Sequence, residues 1–211
     1  MAIKIQNITY SEHPVGMKHL AAYILIVVWL ISTVFAFWWF MYRDIRAFDE
    51  NPSQERDVRF NAEHLQDLLK QEISTTQTNE FILINFIAPG CSCNRFNISH
   101  VNALEERFRG QVRVEHLTPQ GSEKAFKLKK LNKAATVTRA RLISEQEIPG
   151  SPAAAILNKQ GELLYFGPYS DGAMCGQGNN IVERALTKLS NGESLESGLN
   201  TRAFGCYCDW R

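Results

Sequence analysis

The chain has 211 residues, a formal net charge of +1 and 45% apolar content. That is enough for one ordinary domain plus an additional segment, and the near-neutral balance excludes binding to nucleic acid through bulk charge. Five cysteines fall in three clusters, Cys91/Cys93, Cys175 and Cys206/Cys208, a usage that fits an oxidising compartment better than a reducing one.

Residues 1–19 read as a short polar leader on the cytoplasmic side. Residues 20–42, "LAAYILIVVWLISTVFAFWWFMY", carry no charge and are long enough to cross the ~30 Å hydrocarbon core of a bilayer. The run is apolar all round, unlike an amphipathic core helix, and lacks the short apolar region and small-residue cleavage site of a signal peptide. Trp38, Trp39 and Tyr42 suit the headgroup level, and Arg43, Asp44 and Arg46 end the span. Lys4 and Lys18 precede it while Arg43, Arg46, Arg56 and Arg59 follow. That count alone favours a cytoplasmic C-terminal side, but long domains translocate largely regardless of flanking charge. The cysteine usage decides for the outside.

Residues 43–59, with "DENPSQERD", read as a linker. Phe60, His64, Leu65, Leu68 and Leu69 recur at helical spacing behind Asn61, an N-cap residue. "EFILINFIA" is a continuous apolar run expected to form a strand covered on both faces. Phe96, Val101, Leu104 and Phe108 then mark a second amphipathic helix, and "VRVEHLT" (112–118) alternates as a strand. From Ser122, "SEKAFKLKKLNKAA" predicts a basic helix whose lysines form a solvated face. "AAAILNKQGELLYFGPY" predicts a β-hairpin, "NIVERALTKLS" a last helix, and 191–211 a polar tail ending in "GCYCDW". A strand–helix–strand crossover followed by a hairpin implies an α/β fold with a mixed sheet flanked by helices.

"FILINFIAPGCSC" resembles the strand and active-site turn of the thioredoxin superfamily, and "IPGSPAAAILNKQGELLYFGPY" resembles its second half. The resemblance covers roughly residues 60–190 and implies a thioredoxin-like domain. It also implies a cis bond before Pro152, a proline packed against the cysteines, and a substrate backbone held by Ser151 and Pro152. Cys91 falls at the family's nucleophilic cysteine. The family's second cysteine would fall at Asn94, whereas this chain has Cys93, and the family's usual Trp before the first cysteine is Gly90. The whole chain also resembles a group of membrane-anchored thioredoxin-like proteins of gammaproteobacteria. That likeness implies a bacterial inner-membrane protein with one span and a periplasmic domain, and supplies no established activity.

A cysteine at a helix N-terminus has its thiolate stabilised by unpaired N–H groups and the helix dipole, with Arg95 adding to the effect. Cys91 is therefore the candidate nucleophile and Cys93 its resolving partner, and the resemblance implies Pro152 as the third catalytic residue. A Cys91–Cys93 disulfide would close a tight ring, and strained disulfides are more oxidising. Cys175, Cys206 and Cys208 are candidates for a relay or for a structural disulfide. The expected activity is thiol–disulfide exchange or isomerisation on periplasmic protein thiols and disulfides, without a cofactor. The alternative is a copper or zinc module in which Cys91, Cys93, Cys206 and Cys208 supply thiolates. Thioredoxin-like copper-delivery proteins bring a histidine from late in the domain, and no histidine follows His116. Asn7 and Asn97 match the glycosylation sequon and read as coincidence.

Overall fold

The computed structural model describes residues 16–49, 61–73, 79–120, 136–144, 147–172, 179–196 and 198–210. Residues 1–15 of the expected leader, 50–59 of the expected linker, the basic helix from Ser122 and Cys175 lie outside the described residues.

The chain divides into two compact units, 1–41 and 42–211. The first contains most of helix α1, Met17–Asp44. Its segment His19–Trp39 has a mean hydropathy of 2.5 and is long and apolar enough to cross a membrane. Its side chains are exposed, from Leu20 to Trp39. The Thr33 hydroxyl donates to the Trp29 carbonyl at 2.7 Å, which removes its polarity from an apolar surrounding.

The second unit is built on a five-stranded sheet in the order β4-β3-β2-β5-β6. These strands are β2 Phe81–Phe86, β3 Val112–Thr118, β4 Thr136–Arg139, β5 Ala153–Asn158 and β6 Leu163–Gly167. The β2–β3 and β3–β4 pairs are parallel, and β2–β5 and β5–β6 are antiparallel. A crossover and a closing hairpin around a central β2 are what the thioredoxin resemblance implies, and the fold is thioredoxin-like. Strand β4 is an addition, because "TVTR" is too short to announce itself by alternation. Between β5 and β6, the Asn158 side chain accepts from the backbone N–H of Gln160 and Glu162, and Gly161 turns at φ +76°.

Alternate residues of the central strands feed two cores. Ile82, Ile84 and Phe86 with Ala153, Ala155 and Leu157 face one side; Leu83 with Ala154 and Ile156 faces the other. The second side is covered by α3, Ser92–Arg107, through Val101 and Leu104, and by α4, Ile181–Ser190, through Val182, Ala185 and Leu186. Phe108 joins that core, but Phe96, expected on the same face, is half exposed. The first side receives α2, Ala62–Glu72, through Leu65 and Leu69. Asn61 caps α2, its side chain accepting from the His64 N–H at 3.0 Å.

The remaining cover of the first side corrects the expected boundaries. Residues 43–49 are not a free linker, nor is 191–211 a separate tail. Strand β1, Ile45–Ala47, pairs antiparallel with β9, Phe204–Cys206. Phe48, Tyr207 and Trp210 are buried in the first core. Phe48 packs edge-on against Tyr207 at 5.2 Å between centroids, and Phe86 against Trp210 at 5.5 Å. Aromatic side chains supply large apolar surfaces from short irregular segments, and among the described residues Phe48, Tyr207 and Trp210 share the cover of that face with α2. Two further two-residue strands, β7 Ser170–Asp171 and β8 Asn179–Asn180, form a small ladder before α4.

Candidate active site

Strand β2 is buried along its whole length and leaves the sheet through Ile87, Ala88, Pro89 and Gly90. Gly90 has φ +81°, a conformation that side-chain-bearing residues avoid. Nothing occupies the space its Cβ would need, so backbone conformation alone sets the requirement. The Cys91 N–H closes the turn onto the Ala88 carbonyl at 3.3 Å. Cys91 is the N-cap of α3, with extended backbone angles, so its sulfur stands at the positively polarised end of a 16-residue helix. Arg95 is exposed on that helix.

Cys91 and Cys93 are not bonded to each other. Cys91 is joined to Cys208 and Cys93 to Cys206, with Cα separations of 5.8 and 5.6 Å. The tight Cys91–Cys93 ring is therefore absent, and with it the basis for an oxidising poise drawn from that ring's strain. The reason lies in the tail. In extended chain, residues two apart point to one side, so Cys206 and Cys208 present two sulfurs together to the start of α3. The two disulfides differ in access: Cys91 and Cys208 are half-buried, whereas Cys93 and Cys206 are 0% and 6% exposed. The Cys208 Sγ also lies 3.9 Å from the Cys93 Sγ, to which it is not bonded.

The loop before β5 closes the site. The Ser151–Pro152 peptide is cis, and both residues are buried. The Cys91 Sγ is 3.6 Å from the Ser151 carbonyl oxygen. The Ser151 hydroxyl accepts the Ala88 N–H at 2.8 Å, and its own proton faces the Phe86 carbonyl at 3.1 Å and the Asn94 Oδ1 at 3.3 Å. Asn94 in turn donates to the Ala88 carbonyl at 2.6 Å. The position where a second family cysteine would fall is thus a buried tie between the turn, the helix and the proline loop.

Ser151 also departs from its expected role. Its N–H donates to the Cys208 carbonyl, and the Cys208 N–H donates to the Ser151 carbonyl, each at 2.8 Å. Both main-chain groups of Ser151, a residue expected with Pro152 to bind a substrate backbone, are engaged by the chain's own tail. That tail is held at further points. Arg46 pairs with Asp209 at 2.7 Å, the Tyr207 hydroxyl donates to the Ser170 carbonyl at 2.9 Å, and the Gly172 N–H donates to the Phe204 carbonyl at 2.8 Å. Gly205 must be glycine, because a Cβ there would run into the Gly172 carbonyl.

A buried polar chain links α3 to the sheet and was not among the candidate residues. Asn97 donates to the Asn85 Oδ1 at 3.3 Å, and the Asn85 amide faces His116 Nδ1 at 3.0 Å. Since the Asn85 carbonyl oxygen is taken by Asn97, its NH₂ is the donor and Nδ1 the acceptor. Burial lowers the His116 pKa to about 4, so the ring is neutral at physiological pH. The available signal was Asn85, the one polar residue of the apolar run "FILINF", and His116, which stands at an apolar position of the alternating "VRVEHLT". Burial of Asn97 also closes its sequon to modification. On the opposite sheet face, burial raises the Glu115 pKa, opposed by Arg113 at 3.2 Å.

For the metal alternative, the sulfurs of Cys91, Cys93 and Cys208 lie within 4.8 Å of one another, and Cys206 is outside that group. Each of these sulfurs is in a disulfide, and a disulfide sulfur is not the thiolate that a soft metal takes.

Residues 59–210 match the family described as a domain of unknown function, DUF6436. The chain belongs to that family. No curated protein matches the sequence. Among solved structures, a hypothetical protein of Sinorhizobium meliloti 1021 is 13% identical, with TM-score 0.46, over 63% of this chain and 79% of that one. StoA from Bacillus subtilis is 16% identical, with TM-score 0.40, over 54% and 87%. An uncharacterized conserved protein from Geobacillus kaustophilus is 12% identical, with TM-score 0.42, over 63% and 77%. The DUF6436 match ends at residue 210, so it includes the tail cysteines as well as Cys91 and Cys93.

Proposed function

We propose that this chain is a membrane-anchored thiol–disulfide oxidoreductase or isomerase that acts on protein thiols and disulfides in the bacterial periplasm, with Cys91 as its exchanging sulfur. The carrying observation is the half-buried Cys91–Cys208 disulfide, placed at a helix N-terminus and against Ser151. Once that bond opens, the helix terminus stabilises the Cys91 thiolate, which both attacks and leaves readily. The periplasmic address rests on the apolar span of α1 and on the oxidising conditions that disulfides need.

A purely structural role for the disulfides is weakened by their nesting. The first link closes a loop of over a hundred residues (sequence separation 117), worth about 5 kcal/mol in the chain-entropy account. With it in place, the second closes only the short ring of 91–93 and 206–208, worth about 2 kcal/mol. Duplicate staples two residues apart add little to stability, whereas four sulfurs in one place add redox capacity.

The test uses the full chain in detergent, equilibrated against glutathione buffers. The expected result is a reversible couple between about −120 and −230 mV, together with reshuffling of a scrambled protein disulfide that is lost in Cys91→Ser. Disulfides that stay intact in excess reduced glutathione while the chain remains folded would leave only the staple. The second reading, copper or zinc held by thiolates, draws on the three sulfurs within 4.8 Å. It requires the reduced chain to bind one equivalent of metal, lost when Cys91 and Cys93 become serine.

A further inference from the structure

Resting on the exchange reading above, we infer that Cys208 is an internal exchange sulfur that carries reduction from the accessible disulfide to the buried one. The four sulfurs then act as one centre that takes up four electrons in two ordered steps. Three observations carry this. Of the two disulfides, Cys91–Cys208 is the one that joins two half-buried residues. Cys93 and Cys206 are sealed at 0% and 6% exposure. Across the gap between the two bonds, the Cys208 Sγ stands 3.9 Å from the Cys93 Sγ, and the Cys91 Sγ lies within 4.8 Å of both.

The sequence of bonds balances as follows. A thiolate of an outside dithiol attacks the Cys91 Sγ, forming a mixed disulfide and releasing the Cys208 thiolate. The Cys208 thiolate attacks the Cys93 Sγ, so a Cys93–Cys208 bond forms, the Cys93–Cys206 bond breaks and Cys206 leaves as a thiolate. The second thiol of the outside molecule attacks its own sulfur in the mixed disulfide, frees Cys91 and departs as a disulfide. Two electrons have entered, two cysteines (Cys91 and Cys206) are reduced, and the remaining disulfide is Cys93–Cys208, on a half-buried sulfur. A second dithiol attacks the Cys208 Sγ, releases Cys93 and completes the reduction. Oxidation runs the same steps backwards.

The internal step depends on Cys208 staying in place when its bond is cut, and its anchors do not involve sulfur. The paired backbone hydrogen bonds to Ser151 hold it directly. On either side, Tyr207 and Trp210 are 3% and 1% exposed in the core. Withdrawing two buried aromatic side chains from a packed core leaves a large cavity, so swinging the tail away is far costlier than moving a sulfur by one bond. A fixed neighbour reacts as though at very high concentration, which favours internal exchange over a second outside attack. The same anchoring explains how the site works with Ser151 already occupied: the outside thiol reaches sulfur without displacing the tail.

The experiment places the full chain, carrying Cys175→Ser to remove the fifth thiol, in detergent with one molar equivalent of dithiothreitol. Acid quench, alkylation and peptide mapping then identify the free cysteines. The expected product has Cys91 and Cys206 alkylated and Cys93 bonded to Cys208. Alkylated Cys91 and Cys208 with Cys93–Cys206 intact overturns the inference and leaves the exchange reading standing. Resistance of both bonds to dithiothreitol in the folded chain overturns both. As a second arm, Cys91→Ser mimics the opened centre and should hold Cys93–Cys206 and Cys93–Cys208 as interconverting isomers; finding only Cys93–Cys206, with Cys208 alkylated, overturns the inference. In Cys208→Ser, reduction of Cys93–Cys206 should slow by about 10²-fold or more, and an unchanged rate overturns it.

Discussion

The two faces of the central sheet are covered by different means. One face receives α3 and α4, regular helices whose apolar residues recur at helical spacing. The other receives, among the described residues, the helix α2 and then Phe48, Tyr207 and Trp210 from the two ends of the domain. Helices carry their own hydrogen bonds, so side-chain packing is all they need from the sheet. The end segments have the three-residue β1–β9 pair and isolated bridges, and pairs that short are marginal alone. They are held instead by aromatic burial, by the Ser151 bridge and by sulfur. The two disulfides therefore stand on the irregular cover, where large buried side chains keep the segment in place.

The largest expected effect comes from cutting both links to the irregular cover. Cys91→Ser with Cys93→Ser should lower the unfolding free energy by about 5 kcal/mol or more, against about 2 kcal/mol for losing either link alone. Denaturant titration of the full chain in detergent checks this, and equal, additive losses would mean that the two bonds act separately. Next, Trp210→Ala should cost about 3–5 kcal/mol with both disulfides intact. A loss under 1 kcal/mol would show that sulfur, not packing, fixes the tail, which would break the comparison.

The helical face has its own weak point in His116. Its folded pKa of about 4 lies below the ordinary value of 6.5, so the unfolded chain binds the proton more readily. Stability is full above pH 6.5 and falls as pH drops toward 4, by on the order of 3 kcal/mol. Thermal melts across that range should show the decline, and His116→Gln should flatten it. The smallest effect is expected at the rim of the irregular cover. Asp209→Ala removes the partly exposed pair with Arg46 and should change stability by about 1 kcal/mol or less. A larger loss would mark the pair as a fastening in its own right.

The regular parts were legible. "FILINFIA" showed a strand buried on both faces because it is apolar at every position, and β5 and β6 showed themselves by a turn between apolar runs. Strand β4 was not legible, since four residues of mixed polarity carry no period. Phe48 was hidden among charged neighbours, and Tyr207 and Trp210 sat in a tail read as polar. The role of Asn94 was hidden because an asparagine after a cysteine motif has no pattern of its own. The cysteine positions were visible at once, and their pairing was not: residues over a hundred apart meet only when the tail returns.

Taken alone, the sequence determined local and periodic things: an apolar span, alternating and continuous strands, amphipathic helices, a turn that needs glycine, and sulfurs at a helix start. Each follows from side-chain chemistry acting over a few residues. Tertiary structure decided which sulfur joins which, which sulfurs meet solvent, and what occupies the Ser151 edge. Those outcomes depend on distances between segments far apart in the chain. Such distances are set by how apolar surface is shared across the sheet, a quantity no short stretch contains.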